Sequence, residues 1–275
     1  MNETTEPHTD RKIEKELRID ASPDDVWKAL TEAEELVRWF PLQAEVEPGV
    51  GGHIRLMWGD VEGGNARIES WEPGRRLVVS TPFPLDEGVA HVGTEYLLEP
   101  DGEGTRMRLV QFGFGDGDSW DTMYDGIHRG WDFELRGLKH YLENHRGKNR
   151  RVVHQFAEIH EPIESAWDKI TGDGGLDAKG ALGAPAEGDA VRLETSDGFA
   201  LEGTVAIFGP PRDFAVFLSS LGDSYLRVRV DRSCAVPGTF EANLWLSTYE
   251  LDDASFERAE ASFRKILDGL FPKPA

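Results

Sequence analysis

The sequence has one cysteine, few basic residues and no long apolar run. The single cysteine among 275 residues, Cys234, excludes an internal disulfide and a cysteine-based metal cluster. It also fits a chain that works in a reducing compartment. No window approaches the roughly 18 apolar residues of a membrane-spanning helix. We therefore expect a cytoplasmic protein that does not insert into a membrane.

Positive charge is scarce along the whole chain. There are 30 basic and 51 acidic residues, which gives a formal net charge of −21, and neither half of the chain carries a basic stripe. Because phosphate backbones repel an acidic surface, nucleic acid and anionic membranes are not expected partners. The acidity itself is explained by solubility.

Motifs for metal binding and catalysis are also missing. The acids Asp116, Asp118, Asp121 and Asp125 lie at the start of a predicted long helix, where helix-end electrostatics explains them without a metal. His140 and His145 lie five residues apart in that helix, a spacing that predicts different faces. The glycine-rich segments do not lie between a strand and a helix, so they predict turns and not nucleotide loops. We therefore expect no metal, no cofactor and no catalytic residue that spacing alone can place.

What the chain does contain is one order of elements, used twice. A strand with period-two alternation, "KIEKELRID", precedes a helix that Ser22 caps and Pro23 begins. Several strands separated by turns follow, and then a long helix with an apolar stripe. The second half repeats the order from "VVHQFAEI" to "DDASFERAEASFRKILDGLF", and "RGKNR" at 146–150 is the predicted linker. The segment around Trp27 has a close counterpart around Trp167, so we predict two copies of one plan.

The first half resembles a known family. Its segments "SPDDVWKALTEAEELVRWF", "GGHIRL", "ARIESWEPGRRLVV", "GEGTRMRLVQFGF" and "GWDFELRGLKHYLE", in this order, resemble the activators of the heat-shock-protein-90 ATPase and their bacterial homologues. These proteins belong to the START-like (SRPBCC, birch-pollen-allergen-like) superfamily. The resemblance spans about residues 12–145. The second half resembles the superfamily only in outline, because it lacks counterparts of Arg38-Trp39-Phe40 and Gly130-Trp131.

The resemblance implies an α+β protein of two tandem helix-grip domains, each a curved antiparallel sheet around a long C-terminal helix. The predicted domains are a disordered tail at 1–11, a START-like domain at 12–146 and a diverged second copy at 151–271. Such folds enclose a cavity between the sheet and the helix. Gly130 is expected to let the helix approach another element closely. The predicted cavity residues of the first domain are Trp39, Phe40, Leu56, Trp58, Phe112, Phe114, Met123, Ile127, Trp131 and Leu135.

Three functions follow from this reading. The first is non-catalytic binding of a small hydrophobic or amphipathic molecule in the first domain, because grouped aromatics favour an apolar pocket. The second is activation of a chaperone ATPase through protein interaction, which the resemblance implies. The third is a cavity enzyme of the cyclase or hydrolase type, which needs an inward-facing acid or base. The sequence leaves the ligand and the oligomeric state open.

Overall fold

The computed structural model describes residues 11–85, 88–232 and 239–272. The chain divides after Gly147 into two compact units. The first ten residues of the predicted tail, together with Cys234, lie outside the described residues. Among the described residues, no helix is both long and apolar enough to cross a membrane.

The first unit is a seven-stranded antiparallel sheet with three helices. Its strands follow the order β1-β7-β6-β5-β4-β3-β2, so the N-terminal strand pairs with the last one. The elements are β1 Ile13–Ile19, α1 Pro23–Thr31, α2 Ala33–Leu36, β2 Gln43–Glu47, β3 His53–Trp58, β4 Val61–Glu72, β5 Arg76–Leu85, β6 Gly88–Asp101, β7 Gly104–Phe112 and α3 Asp118–His140.

Local sequence explains how α1 begins. The Ser22 hydroxyl accepts a hydrogen bond from the Asp25 backbone N–H at 3.2 Å, and Pro23 occupies the first turn. The first N–H groups of a helix have no partner within the helix. Ser22 accepts a hydrogen bond from one of them and Pro23 has no N–H group, as the sequence predicts. The apolar side of this helix buries Val26, Trp27 and Leu30.

The long helix α3 covers the inner face of the first sheet. Its stripe of Trp131, Leu135 and Leu138 is buried, with Leu138 fully enclosed, and Leu142 continues the stripe just after the helix. On the sheet, β7 buries alternate residues, which are Met107, Leu109 and Gln111, because side chains of a strand alternate between its two faces. The core of the unit therefore lies between α3 and the sheet.

The helix does not end as an ordinary α-helix. Residues Tyr141–His145 form a π-helical turn, in which hydrogen bonds join residues five apart. Such a turn brings residues i and i+5 to one face, so the ring nitrogens (Nε2) of His140 and His145 lie 3.2 Å apart. The prediction that these histidines face different ways was wrong, because it assumed α-helical periodicity throughout.

The second unit repeats the plan with a six-stranded sheet ordered β8-β13-β12-β11-β10-β9. Its final helix buries Phe263 and Leu267 against that sheet. The elements are β8 Arg150–Ile159, α4 Ile163–Thr171, β9 Ala190–Glu194, β10 Ala200–Gly209, β11 Asp213–Leu218, a 3-10 turn Ser219–Leu221, β12 Ser224–Arg232, β13 Phe240–Tyr249 and α5 Asp253–Leu270. The predicted α+β fold with two tandem helix-grip units is confirmed.

The repeated tryptophan segment has the same hydrogen bond in both copies. The Thr31 hydroxyl donates to the Trp27 carbonyl at 2.7 Å, and the Thr171 hydroxyl donates to the Trp167 carbonyl at 2.9 Å. In each case threonine closes the last turn of the first helix of its unit by bonding four residues back. The second copy has diverged after this point, because residues 172–189 form a loop where the first copy has α2.

Candidate functional site

A cavity of about 140 Å³ lies in the first unit between α3 and the inner face of the sheet. Its walls come from α1, the segment around α2, strands β3 to β7 and α3. The lining is mainly apolar and contains no charged side chain. The lining residues are Leu30, Leu36, Trp39, Phe40, Ile54, Leu56, Ala66, Leu77, Val79, Thr81, Thr94, Tyr96, Gln111 and Trp131.

Aromatic rings form a continuous cluster along this cavity. Trp39 and Phe40 stack with centroids 4.9 Å apart, and Phe40 lies 5.9 Å from Trp131. Trp131 in turn meets Tyr96 edge to face at 6.2 Å. Ring contacts of this kind stabilise beyond the burial of their area, so the cluster fixes the position of the cavity wall.

Trp39 is held in place by the end of α1. Its indole N–H donates to the Ala29 carbonyl at 2.8 Å. That carbonyl belongs to the last turn of α1, where carbonyl groups have no partner within the helix. The buried indole therefore satisfies a helix end and anchors the aromatic cluster in the same contact.

The segment that carries Trp39 and Phe40 is also tied to the end of α3. The Tyr141 hydroxyl donates to Glu35 Oε2 at 2.6 Å and accepts the Gly147 backbone N–H at 3.0 Å. Arg38 forms an ion pair with the other oxygen of Glu35. Burial, and then the Glu35 carboxylate, raise the pKa of Tyr141, so it stays a hydroxyl donor at neutral pH.

One wall of the cavity is polar. Thr94 on β6 and Gln111 on β7 are direct cross-strand partners, and both are buried. The Trp131 indole N–H donates to Gln111 Oε1 at 2.6 Å, which joins α3 to this wall. Tyr96 lies two residues along β6 and is 9 % exposed. Burial raises its pKa, so the Tyr96 hydroxyl stays protonated at neutral pH.

The other end of the cavity reaches towards the surface. The lining residues Phe40, Leu56, Ala66 and Thr81 are only half-buried, unlike those around Trp131. Trp58 lies beside this end and meets Phe40 edge to face at 5.3 Å. We therefore place the opening of the cavity near these residues.

A glycine lets Trp58 lie flat on the neighbouring strand. A Cβ added at Gly63 would stand 2.0 Å from the Trp58 ring, far closer than carbon atoms approach. The pairing of β3 and β4 shifts register at this position, which is the signature of a bulge. Bulge and glycine together aim the Trp58 ring at the cavity end.

Four of the predicted cavity residues line the cavity: Trp39, Phe40, Leu56 and Trp131. Trp58 contacts the cluster through Phe40. The other predicted residues lie elsewhere in the unit. Phe114 is fully buried against Trp120 and Tyr124, Leu135 is buried further along α3, and Met123 and Ile127 are half-buried near its start.

The structure places Phe112 on the opposite face of the sheet. Its side chain is 42 % exposed and lies across Gly93, its direct partner on β6. Because β7 turns Met107, Leu109 and Gln111 inwards, the alternation necessarily turns Phe112 outwards. The sequence-based prediction chose the aromatic Phe112 and missed Gln111 beside it, although the alternation along the strand predicts that Gln111 faces inwards.

The expectation for Gly130 was wrong. A Cβ added at Gly130 would meet no atom within 4 Å, apart from its own helix and neighbours. The glycine therefore allows no close approach to another element, and Trp131 reaches the sheet by its own size.

Two of the acids near the start of α3 form ion pairs on the surface. Asp121 forms an ion pair with Arg11, and Asp125 with Arg129. Within ranges 11–85, 88–232 and 239–272, no group of three or more His, Cys, Asp or Glu side chains is arranged to hold a metal ion.

The core of the second unit also contains large aromatic side chains. Phe199, Phe214 and Phe263 are buried in one cluster between its sheet and α5. A different pocket of about 510 Å³ is open to solvent beside the edge strand β9, where Asp177, Leu182 and Arg192 line it. The aromatic cavity described above therefore belongs to the first unit.

Comparison with known proteins finds a family match in the first unit. A family model described as "Activator of Hsp90 ATPase homolog 1-like protein" matches residues 20–143. No curated protein matches the chain.

Solved structures of similar fold include both single-unit and two-unit proteins. CalU16 from Micromonospora echinospora is 27% identical with a TM-score of 0.39, over 48% of this chain and 76% of that one. The Aha1 dimer from Colwellia psychrerythraea is 19% identical with a TM-score of 0.42, over 50% and 99%. The di-domain ARO/CYC BexL of the BE-7585A biosynthetic pathway is 17% identical with a TM-score of 0.43, over 94% and 96%. All three scores lie below 0.5, so the function is argued from this chain's own residues.

The family match begins at the residue after β1 and ends within the π-helical turn that follows α3. It thus spans the elements that build the aromatic cavity. Over residues 20–143, the first unit of this chain is similar to the Activator of Hsp90 ATPase homolog 1-like family.

Proposed function

We propose that the first unit binds a small, neutral and largely apolar molecule in its cavity without chemical change. The observation that carries this proposal is the cavity itself, an apolar space bounded by Trp39, Phe40 and Trp131 and free of charged lining residues. Aromatic walls with a few polar groups are the usual form of a small-molecule site.

The volume limits the size of the ligand. At about 140 Å³ the cavity is smaller than typical ligand pockets, which start at about 300 Å³. It is close to the ~150 Å³ of an engineered apolar cavity that binds benzene. A lipid or a polycyclic compound would require the walls to move, so we propose a guest with about one ring.

Direct binding tests this proposal. The full chain, labelled with ¹⁵N, is titrated with benzene, toluene and naphthalene, and the indole N–H signals of its tryptophans are followed. For ligands of about six or seven non-hydrogen atoms, benzene and toluene, we expect dissociation constants of about 0.1–1 mM. Naphthalene should bind more weakly than toluene. If no ring compound binds at any accessible concentration, the proposal fails.

A variant that fills the cavity provides the matched test. Ala66 lines the cavity, so Ala66→Leu should abolish binding by occupying the space. Ala90 is a half-buried alanine on β6 of the same unit that does not line the cavity, and Ala90→Leu serves as the control. Equal loss of binding in both variants would mean that the cavity is not the site.

A second candidate is catalysis in the same cavity. Buried polar groups beside Trp131 favour it, because Tyr96 and Gln111 offer hydrogen-bond donors to a reacting oxygen. Against it, no lining residue is an aspartate, glutamate, histidine, lysine or cysteine, so a general base is not in place. Conversion of a bound ring compound to a new product, detected by mass spectrometry, would favour the enzyme over the binding protein.

Activation of a chaperone ATPase is the third candidate, and the family description is what supports it. A name of this kind does not determine function. Unchanged ATP turnover by the host chaperone in the presence of this protein would count against it.

A further inference from the structure

Two donors in the polar wall are not explained by the packing of the unit. Tyr96 and Gln111 each expose 9 % of their surface and both line the cavity. Buried polar groups are nearly always paired, and an unmade bond is costly. Their placement therefore points to a hydrogen-bond partner inside the cavity.

The orientation of Gln111 is fixed by its neighbour. The indole N–H of Trp131 can only donate, so the atom that faces it at 2.6 Å must be the amide oxygen of Gln111. The NH₂ group then lies on the other branch of the amide. Within the residues that the structure describes, no protein atom accepts a hydrogen bond from it.

The Tyr96 hydroxyl is in a similar position. Its ring packs edge to face on Trp131, a contact that phenylalanine would make equally well. Over the described part of the chain, no protein group hydrogen-bonds to the hydroxyl oxygen or hydrogen. Because burial raises the pKa of this group, the hydroxyl keeps its proton and can donate at neutral pH.

The two donors converge on one region. On strands β6 and β7, Tyr96 pairs with Leu109 and Thr94 pairs with Gln111. Tyr96 and Gln111 are therefore diagonal neighbours on the inner face of the sheet. Diagonal positions are about 7–8 Å apart, which long side chains bridge. Both also contact Trp131.

We propose that the ligand is a single-ring aromatic ketone or aldehyde whose carbonyl oxygen accepts hydrogen bonds from the Gln111 amide and the Tyr96 hydroxyl. This inference rests on the proposed function and adds the chemical class of the guest. A carbonyl oxygen has two lone pairs and so matches two donors. A carboxylate is disfavoured, since no lining residue carries a compensating positive charge.

The test compares two guests of one shape. Acetophenone carries the carbonyl group, and α-methylstyrene replaces its oxygen by a CH₂ group. Dissociation constants are measured with the full chain by titration, with the Gln111 side-chain amide signals of the ¹⁵N-labelled protein as a local probe. We expect acetophenone to bind about ten- to a hundredfold more tightly, since the hydrocarbon leaves two buried donors unmade.

Variants separate the hydroxyl from the ring. Tyr96→Phe removes only the unpaired oxygen and should reduce the preference for acetophenone by about tenfold, with little effect on α-methylstyrene. Tyr124→Phe is the control, because the Tyr124 hydroxyl bonds to the Lys12 carbonyl outside the cavity. It should leave both dissociation constants unchanged.

The outcomes distinguish a failure of this inference from a failure of the proposed function. A cavity that takes benzene but gives acetophenone no advantage over α-methylstyrene overturns the inference and leaves the proposed function standing. A preference that persists in Tyr96→Phe also overturns it as stated. Binding of none of these compounds, benzene included, overturns the proposed function itself.

Discussion

Removal of the Tyr96 hydroxyl should stabilise the protein, although it deletes a polar group. In most proteins a buried tyrosine hydroxyl is paired, and Tyr→Phe costs about 1 kcal/mol. Here the hydroxyl has no protein partner among the described residues, and the side chain is 9 % exposed. A buried unpaired polar group costs about 1–3 kcal/mol. Water can reach the cavity, so we take the lower end and expect Tyr96→Phe to raise the free energy of unfolding by about 1 kcal/mol at pH 7.

The same hydroxyl should make stability depend on pH in the alkaline range. Burial raises the pKa of Tyr96 in the folded state above the ordinary value of about 10. Below pH ~10 the group is protonated in both states and adds no pH dependence. Above it the unfolded chain loses this proton first, so the free energy of unfolding falls by up to about 1.4 kcal/mol per pH unit. Tyr96→Phe should therefore show a shallower decline between about pH 10 and 11.

Urea unfolding of the full chain and of Tyr96→Phe, followed by tryptophan fluorescence at pH 7, 9, 10 and 11, measures both effects. The two units can unfold separately, so the transition of the first unit is the one to compare. Tyr141, whose pKa is also raised, contributes equally to both proteins. A loss of 1 kcal/mol or more at pH 7 would refute the reasoning, because it would mean that the hydroxyl has a partner. So would identical curves above pH 10.

Three further changes test the packing around and beyond the cavity. Trp39→Phe removes the indole bond to the Ala29 carbonyl and leaves a void, so we expect a loss of about 2–3 kcal/mol in chemical denaturation; a loss below 1 kcal/mol would contradict this. Gly63→Ala must displace the Trp58 ring, which we expect to see as a shifted Trp58 indole signal and weaker ring binding; an unchanged spectrum would be evidence against the flat contact. Phe263→Ala in the second unit should cost about 3–5 kcal/mol in that unit's transition and leave ligand binding intact; altered binding would show that the site is not confined to the first unit.

The fold could be predicted because its signals are local and repeated. Alternation along "KIEKELRID", the cap at Ser22 and the stripe of the final helix each specify an element within a few residues. The second copy supplied an independent reading of the same plan. The π-helical turn at Tyr141–His145 escaped prediction because it changes hydrogen-bond spacing without a change in composition.

The candidate site was predicted only in part. Trp39 and Trp131 were predicted correctly because their side chains are so large that a small domain buries them. Gln111 and Tyr96 were missed because residues with polar groups are ordinarily found on the surface. Only the register of their strands indicates that these two side chains face inwards. Phe112 shows the converse error, since hydrophobicity was given more weight than the period of two. An inward-facing polar residue in an alternating strand is the signal that identifies such a wall.

The bond between Trp131 and Gln111 has a consequence for how selectivity in this cavity could change. An amide side chain can turn either its oxygen or its nitrogen towards a guest. Because the Trp131 indole can only donate, it binds the amide oxygen and leaves the nitrogen facing the guest. An acceptor at position 131 would turn the amide over, present its oxygen to the cavity and select rings that bear a hydroxyl or amine. The polarity of the preferred guest would thus be reversed by substituting a residue that makes no hydrogen bond to the guest.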